Sequence, residues 1–380
     1  MTAWSLACSA CDHCAPGDSL ASVCAACGQP YLVRYEMRPL SRDSLLDRWD
    51  MWRYAPLLPL RAGEEPVTLG EGTTPLRELP ALAAELGIRR FWVKDEGLNP
   101  TGSFKARGMS AAVTRARALG VAGFTVPTAG NAGAALAAYA AAAELPVRVY
   151  APEATPSAIL ETIRALGAQL VTVPGHIGDA GKAARADAAS SGFFDMSTLR
   201  EPYRIEGKKT MGLELAEQLG WRLPDAIIYP TGGGTGLIGM WKGFAEIRDL
   251  GWLGDTVRMP RMITAQADGC APIVRAFAAG DDRALPWENP ETYASGLRVP
   301  GPLGDRLILR ALRESRGDAE SASESEISAA TRQLAHASGV DVSPEGGCAL
   351  AVCKRLIGAN RLAQNSEVVI FNTGSGAGYR

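Results

Sequence analysis

The lysine at position 105 is placed where a side-chain amine can act as a nucleophile. It follows the apolar, strand-like run 91–94 and the loop 98–104, and it precedes the Ala-rich run 109–119, which contains no Gly or Pro. Lys105 therefore lies where a loop becomes a helix. Free backbone N–H groups and the helix macrodipole disfavour a second positive charge there, which favours a neutral amine able to form a Schiff base. The alternative is an ordinary surface lysine at a helix start.

A second candidate is a glycine-rich loop between the strand-like run 226–229 and the helical run 237–247. The loop contains Gly232, Gly233, Gly234, Thr235 and Gly236. Its backbone N–H groups can converge on a phosphate without Cβ atoms in the way, and the following helix N-terminus adds partial positive charge. The Thr235 hydroxyl can add a donor. The alternative is a plain strand-to-helix turn.

Cysteines are concentrated at the N-terminus, where five of the eight lie within the first 27 residues. Two CxxC knuckles separated by a twelve-residue loop are formed by Cys8, Cys11, Cys24 and Cys27. This spacing is typical of a tetrahedral zinc site, and four protein thiolates would make it structural because no position stays open for substrate. Cys14 forms a further CxxC with Cys11, but Gly28 after the last knuckle favours the first set. The alternatives are a metal-free remnant or a redox pair.

The elements that must position these residues alternate along the chain. After Lys105 we expect strands at 123–127, 147–150 and 169–173 and helices at 132–143 and 157–166. The second half continues with strands at 226–229, 261–265 and 367–371 and helices at 237–247 and 346–357. Alternation of this kind predicts an α/β fold with parallel strands, crossover helices and ligand-binding loops at the strand ends.

The chain is expected to contain three parts. Residues 1–36 are predicted to be a small zinc-ribbon-like segment. Residues 37–110 and 205–380 are predicted to form the larger domain and 111–204 a smaller inserted α/β domain, since a polar and aromatic stretch at 192–210 interrupts the alternation.

Other local structure is predicted from composition. We expect a closing ribbon strand at 31–35, short helices at 41–52 and 79–86, and a helix at 211–219. The Ser- and Glu-rich stretch 314–326 is predicted to be a solvated helix start.

The segment Asn99-Pro100-Thr101-Gly102-Ser103-Phe104-Lys105 resembles the lysine segment of fold-type II pyridoxal phosphate (PLP) enzymes. These include threonine synthases, threonine and serine dehydratases and cysteine synthases. The resemblance covers residues 71–376 and implies two open parallel-sheet domains. It implies that Lys105 binds the PLP aldehyde and that the glycine-rich loop binds its phosphate dianion.

Two further cofactor contacts are implied by the resemblance. Asn131, in the Gly-flanked loop 128–133, matches an Asn that can donate to the ring O3′ oxygen and stack beside the ring. Thr373 matches the Thr or Ser that hydrogen-bonds the ring nitrogen. A neutral hydroxyl does not force the pyridine to stay protonated, which favours eliminations and replacements over transamination.

Among the members of this superfamily, threonine synthases match best. Arg204-Ile205-Glu206-Gly207-Lys208-Lys209-Thr210 looks like their Arg-x-Glu-Gly-x-Lys-Thr, and 71–76 resembles their Glu-Gly-x-Thr-Pro-Leu. The resemblance implies that Arg204 binds the phosphate of O-phosphohomoserine and that Thr74 and Ser103 contact the substrate. The reaction would convert O-phosphohomoserine and water to threonine and phosphate.

Departures from the threonine synthase pattern leave an alternative open. Ala106 replaces the Asp that often follows the lysine, residues 198–201 lack the Asn and Ser of some threonine synthases, and the glycine loop resembles that of dehydratases. The alternative is a β-eliminating or β-replacing lyase acting on threonine, serine or diaminopropionate. An alternative of another class is a non-catalytic amino-acid- or zinc-binding protein of the same fold.

Composition indicates which partners to expect. The 380 residues are 47% hydrophobic and 21% charged, as in ordinary globular enzymes. A net charge of −2 and a pI near 6.1 provide no basic surface for nucleic acid or anionic lipid. No run reaches the roughly 18 apolar residues of a membrane span. We expect a cytoplasmic enzyme with a small-molecule substrate and no nucleic-acid or membrane partner, and the resemblance implies a homodimer.

Overall fold

The computed structural model describes residues 3–36, 38–128, 130–254 and 257–379. Ala129, in the loop predicted to carry Asn131, lies outside them. In chain order the strands are β1 (Trp4–Cys8), β2 (Cys14–Pro16), β3 (Tyr31–Tyr35), β4 (Leu76–Glu78), β5 (Arg90–Asp95), β6 (Phe124–Pro127), β7 (Val147–Pro152), β8 (Gln169–Val173), β9 (Phe194–Asp195), β10 (Ala226–Pro230), β11 (Arg261–Ala267), β12 (Asp318–Ala322) and β13 (Glu367–Asn372). The α-helices are α1 (Pro80–Leu86), α2 (Lys105–Ala118), α3 (Asn131–Ala142), α4 (Ser157–Ala165), α5 (Ile177–Ser191), α6 (Tyr203–Gln218), α7 (Thr235–Asp249), α8 (Pro272–Ala279), α9 (Asp305–Glu314), α10 (Glu324–Ser338) and α11 (Pro344–Gly358).

The chain divides into two compact units. The first contains the described residues up to Thr73 together with Asn99–Thr101 and Lys105–Thr210. The second contains Thr74–Leu98, Gly102–Phe104 and the described residues from Met211 onward. The predicted domain boundaries stay a prediction. The compact units divide the chain differently, because Met51 and Trp52 pack with Ala111 of α2 in one apolar cluster.

The first unit contains two sheets. One is antiparallel with the order β2-β1-β3, and the other is parallel with the order β8-β7-β6-β9. Neighbouring residues of β7 point to opposite faces. Val149 packs in the core that contains α2 and α3, whereas Tyr150 packs with Ala180 and Ala184 of α5. Helices therefore cover both faces of the parallel sheet, as the alternating sequence pattern predicts.

The second unit is built on a six-stranded sheet with the order β12-β11-β10-β13-β5-β4. All neighbouring strands are parallel except β4 and β5. Ile228, Ile263 and Ile370 of three adjacent strands pack with Leu350 of α11 in one apolar cluster. No helix among the described residues has both the length and the apolar composition that a membrane crossing requires.

Three segments differ from their predicted structure. Residues 41–52 contain 3₁₀ turns rather than a helix, because the side chain of Asp50 accepts from the Trp52 backbone N–H and ties the chain locally. The stretch 314–326 contains the predicted helix start, at Glu324 of α10, but also strand β12, which pairs with β11 in spite of its Ser and Glu content. Helix α6 begins before residue 211 because Glu201 accepts from the backbone N–H groups at its first turn.

Candidate active site

Three neighbouring strands of the six-stranded sheet lead into the segments predicted to hold the cofactor. Strands β10, β13 and β5 are adjacent and parallel, so their carboxyl ends lie at one edge of the sheet. β10 leads to the glycine-rich loop, β13 leads to Thr373, and β5 leads through Glu96–Leu98 into the lysine segment. Ligands of open α/β sheets bind at this edge.

The residues just before Lys105 are held by the chain that follows β13. The Phe104 N–H donates to the Thr373 carbonyl oxygen at 3.0 Å, and Ser103 pairs with Gly374 in an isolated bridge. Ser103 is fully buried, and Thr373 is 7% exposed. Lys105 follows directly and is the first residue of α2, as predicted from the sequence.

The glycine-rich loop has no room for side chains at several positions. A Cβ on Gly232 would lie 2.2 Å from the Gly296 carbonyl oxygen, and one on Gly236 would lie 2.0 Å from the Tyr229 hydroxyl oxygen. Gly234, at φ +74°, is the N-cap residue of α7 and, among the described residues, receives no side-chain capping bond. The first N–H groups of α7 are therefore left to a ligand. This backbone cradle and helix N-terminus fit a phosphate dianion.

Asn131 is the first residue of α3, and it is exposed. The turn before it is organised by Thr128, whose hydroxyl oxygen accepts from the N–H groups of Gly130 at 3.0 Å and Gly133 at 3.1 Å. A Cβ on Gly133 would lie 2.4 Å from the Thr128 methyl carbon. Thr128 was not predicted as a site residue, although a threonine just before a helix is a typical capping signal.

Helix α6 packs directly against the first turn of α2. A Cβ on Gly207 would lie 1.9 Å from the Arg107 carbonyl oxygen. A Cβ on Gly108 would lie 2.9 Å from the Lys208 Cε atom. The two helix backbones are therefore in contact, and this contact fixes the turn that Lys105 opens. The glycine of the Arg-x-Glu-Gly motif thus has a packing role that is not evident from the sequence.

Arg204 is buried, with 1% of its surface exposed. Its Nη1 donates to the Met196 carbonyl oxygen at 2.8 Å, and its Nε lies 3.9 Å from the Glu201 carboxylate. Burial raises the pKa of Glu201 to about 7 and lowers the pKa of Arg204. The described residues give the Arg204 Nε no hydrogen-bond partner. That donor is chemically suited to an anion.

Thr74 is buried and held by carboxylates. Its N–H donates to Glu214 Oε1 at 2.8 Å, and its hydroxyl oxygen lies 2.7 Å from Glu96 Oε1. Lys94 Nζ donates to the same Glu214 oxygen at 2.5 Å and to the Thr74 carbonyl oxygen. These contacts position the turn at residues 71–76. The contact of Thr74 with substrate stays a prediction.

The four cysteines predicted to bind zinc lie together. The Sγ–Sγ distances are 3.4 Å for Cys8 and Cys27, 3.6 Å for Cys11 and Cys27, and 3.7 Å for Cys11 and Cys24. All four sulfur atoms lie within 4.8 Å of one another, and none is in a disulfide. The Cys14 sulfur lies outside this cluster, 3.7 Å from a backbone carbonyl oxygen.

Comparison with known proteins gives the family. A family model described as pyridoxal-phosphate dependent enzyme matches residues 67–374. The chain is 39% identical to a threonine synthase of Methanosarcina acetivorans, over 85% of this chain and 79% of the relative. It is 36% identical to a threonine synthase of Methanocaldococcus jannaschii, over 86% of this chain and 80% of the relative. A solved threonine deaminase of T.th. superposes with a TM-score of 0.65 at 28% identity, covering 80% of this chain and 92% of the other. The chain therefore belongs to the family of pyridoxal-phosphate-dependent enzymes, as a threonine synthase-like member of fold type II.

Proposed function

We propose that this protein is a threonine synthase that converts O-phosphohomoserine and water to threonine and phosphate. The observation that carries the proposal is the common edge at which β10, β13 and β5 lead into the glycine loop, Thr373 and the lysine segment. The similarity to two threonine synthases supports this reaction among those of the family.

Residues of this chain provide each group that the cofactor needs. PLP, when bound, supplies an electron sink for negative charge that develops beside the substrate amine. The Lys105 amine would bind the aldehyde, and a neutral amine at this position can also carry protons between the substrate carbons. The glycine loop and the α7 N-terminus bind the phosphate dianion. The Thr373 hydroxyl would bind the ring nitrogen, and the Asn131 amide would donate to the phenolic oxygen.

The substrate carries a second phosphate, which requires its own donors. Arg204 is the candidate because a guanidinium can bind phosphate through two parallel N–H donors. Ser103 and Thr74 remain candidates for contacts with the rest of the substrate. Thr101 is a further candidate, since its buried hydroxyl has no hydrogen-bond partner among the described residues. Its backbone is held at φ +60°, an uncommon conformation for threonine that is often found at functional loops.

The second candidate function is elimination of water from threonine or serine, after which hydrolysis of the resulting enamine releases ammonia and a ketoacid. It is supported by the similarity to the threonine deaminase and by the glycine loop, which resembles that of dehydratases. That reaction needs no cation for a second phosphate. The first function therefore needs the Arg204 cation, whereas the second does not.

The two functions are separated by one side-by-side assay. PLP-loaded protein is given O-phosphohomoserine, with phosphate release measured, and threonine, with ammonia and ketoacid measured. We expect phosphate release to dominate and Lys105→Ala to abolish both turnover and the visible absorption of lysine-bound PLP. Lys182→Ala is the matched control, since that side chain is 75% exposed on α5. Dominant ammonia release would favour the second function, and turnover by Lys105→Ala would remove Lys105 from the chemistry.

We further propose that the enzyme works in the cytoplasm as a homodimer without nucleic-acid or membrane partners. The near-neutral net charge of −2 supports the absence of polyanionic partners. The homodimer rests on the resemblance to fold-type II enzymes. Sedimentation of the PLP-loaded protein at the mass of a single chain would contradict it.

A further inference from the structure

We propose that the four-cysteine cluster binds one zinc ion, and that the zinc-bound ribbon holds helix α6 in place through Tyr35. The ribbon is defined here as residues 4–35, which contain β1, β2, β3 and both cysteine knuckles. This zinc-dependent contact lies within the first unit and does not depend on which reaction the enzyme catalyses.

The sulfur positions match a tetrahedral metal site. With zinc–sulfur bonds of about 2.3 Å, the sulfurs of a tetrahedron lie about 3.8 Å apart. The distances of 3.4, 3.6 and 3.7 Å in the cluster are close to this value. They are far longer than the roughly 2.05 Å of a disulfide bond. The Ala10 N–H also points at the Cys8 sulfur at 3.4 Å, which suits a metal-bound thiolate.

Both knuckles are closed by backbone hydrogen bonds. The Cys8 N–H donates to the His13 carbonyl oxygen at 2.9 Å, and the Gly28 N–H donates to the Cys24 carbonyl oxygen at 2.8 Å. Gly28 has φ +72°, the left-handed conformation that glycine adopts without strain. The turns thus hold the sulfurs together, and a metal would remove the repulsion between thiolates brought this close.

The β1–β3 pair connects the cluster to its opposite end. Cys8 pairs with Tyr31 at one end, and Trp4 pairs with Tyr35 at the other. Strand β3 has five residues and therefore spans about 13 Å between its end residues. Because the pairing register is continuous, fixing the cysteine end also fixes where Tyr35 lies.

The Tyr35 hydroxyl contacts a buried ion pair of α6. Its hydroxyl donates to Glu206 Oε2 at 2.6 Å, and Lys209 Nζ donates to the same oxygen at 2.7 Å. Lys209 also donates to the Leu57 carbonyl oxygen and lies 4.4 Å from the centre of the Tyr35 ring. Glu206 and Lys209 are fully buried, so the pair depends on such added hydrogen bonds to offset its desolvation. Gly207, which contacts the first turn of α2, directly follows Glu206 in the chain.

A second contact joins the ribbon to the start of α6. The Tyr203 hydroxyl donates to the Gly17 carbonyl oxygen at 2.6 Å. A Cβ on Gly17 would lie 2.5 Å from Trp4, so this ribbon loop packs directly on strand β1. The ribbon therefore contacts α6 at its first residue and again one turn later.

The zinc assignment is tested by measuring how much metal each chain contains. Protein purified without chelator should contain about one zinc per chain, as a four-thiolate structural site requires. Cys24→Ser/Cys27→Ser should lose the metal. Cys14→Ser is the matched control and should keep it, since this cysteine belongs to the ribbon but not to the cluster. Wild-type protein without zinc, or with iron in its place, would overturn the zinc assignment.

The coupling to α6 is tested by amide hydrogen exchange, which reports local opening rather than activity. Tyr35→Phe should keep the zinc but speed exchange at residues 203–210 by about tenfold or more, because a hydrogen bond to a buried charge is lost. Helix α5 should be unchanged. The zinc-free double variant should show the same increase, and Cys14→Ser should not. If the double variant does not fold, Tyr35→Phe decides alone. Unchanged exchange at 203–210 in Tyr35→Phe would overturn the coupling.

Discussion

Gly207 shows how a single residue can set the geometry of a catalytic segment. A Cβ at this position would lie 1.9 Å from the Arg107 carbonyl oxygen, so the backbones of α6 and α2 touch only because glycine is present. Arg107 lies in the turn that Lys105 opens. The lysine is recognisable from its sequence surroundings. The glycine is recognisable only from a family motif, because a glycine inside a helix does not indicate which backbone approaches it.

We therefore expect Gly207→Ala to destabilise the protein by about 3 kcal/mol, the upper part of the range for overpacked sites. The added methyl must push α6 away from α2, so PLP binding should weaken as well. Gly358→Ala is the matched control, since it also lies in a helix but an added Cβ would contact nothing within 4 Å. Urea unfolding measures the difference. Equal midpoints for the two variants would show that the α6–α2 contact adjusts without cost.

At the scale of elements, periodic runs are predictable and locally capped or paired segments are not. Strand β8 has the predicted bounds, since five residues between turns leave few alternatives. The stretch 314–326 does contain the predicted helix start, since α10 begins at Glu324, but strand β12 before it was missed because its sequence is polar and only pairing with β11 makes it a strand. The start of α6 was missed because its cap, Glu201, acts from outside the helical run.

At the scale of elements, the capping of helix α10 predicts how stability depends on pH. Glu326 of its capping box accepts from Arg355 at 2.9 and 2.5 Å and from Ser323, and these contacts lower its pKa from 4.5 to about 2. A lowered pKa in the folded state means that the stabilisation is complete above pH 4.5 and is lost as the pH falls to about 2. The Glu326 side chain is 41% exposed, so screening limits the effect to about 1 kcal/mol.

Arg355→Gln should therefore raise the pKa of Glu326 towards its ordinary value. It should also flatten the dependence of unfolding free energy on pH between about 4.5 and 2. Arg332→Gln is the control, because Arg332 lies in α10 with Glu326 but donates to a serine hydroxyl instead. Carboxyl titration by NMR follows Glu326 directly. A pKa that stays near 2 in Arg355→Gln would assign the shift to the helix cap alone.

At the scale of the whole molecule, the sequence predicts parallel α/β structure but not the order of the strands. β13 is the last strand in the chain, yet it lies between β10 and β5. This insertion brings Thr373 to the edge that also carries the glycine loop and the residues before Lys105. Alternation of strands and helices cannot specify such neighbours, because it reports local periodicity and not pairing across the chain. The family motifs indicate which loops form the site, but they do not indicate how these loops are arranged.

The reaction of the whole enzyme depends on whether Arg204 serves the substrate or only the fold. Its burial beside Glu201 supports a structural role, whereas the Nε without a hydrogen-bond partner among the described residues supports anion binding. Simple truncation mixes the two roles, because it would leave the Glu201 carboxylate buried without its cation. Adding Glu201→Gln removes that charge, so the pair of variants separates the two roles.

We expect Arg204→Ala, alone and combined with Glu201→Gln, to lower kcat/KM for O-phosphohomoserine by roughly 30- to 1,000-fold. This corresponds to about 2–4 kcal/mol for a lost charge-assisted contact in a closed site. The visible PLP spectrum should stay intact, and the thermal stability lost by Arg204→Ala should be partly restored in the double variant. Glu201→Gln alone keeps Arg204 and should keep most of the activity. If the double variant regains turnover of O-phosphohomoserine, Arg204 serves the fold and the substrate phosphate is bound elsewhere. If every variant turns over threonine well, the elimination reaction is favoured, since that substrate makes no demand for a second phosphate site.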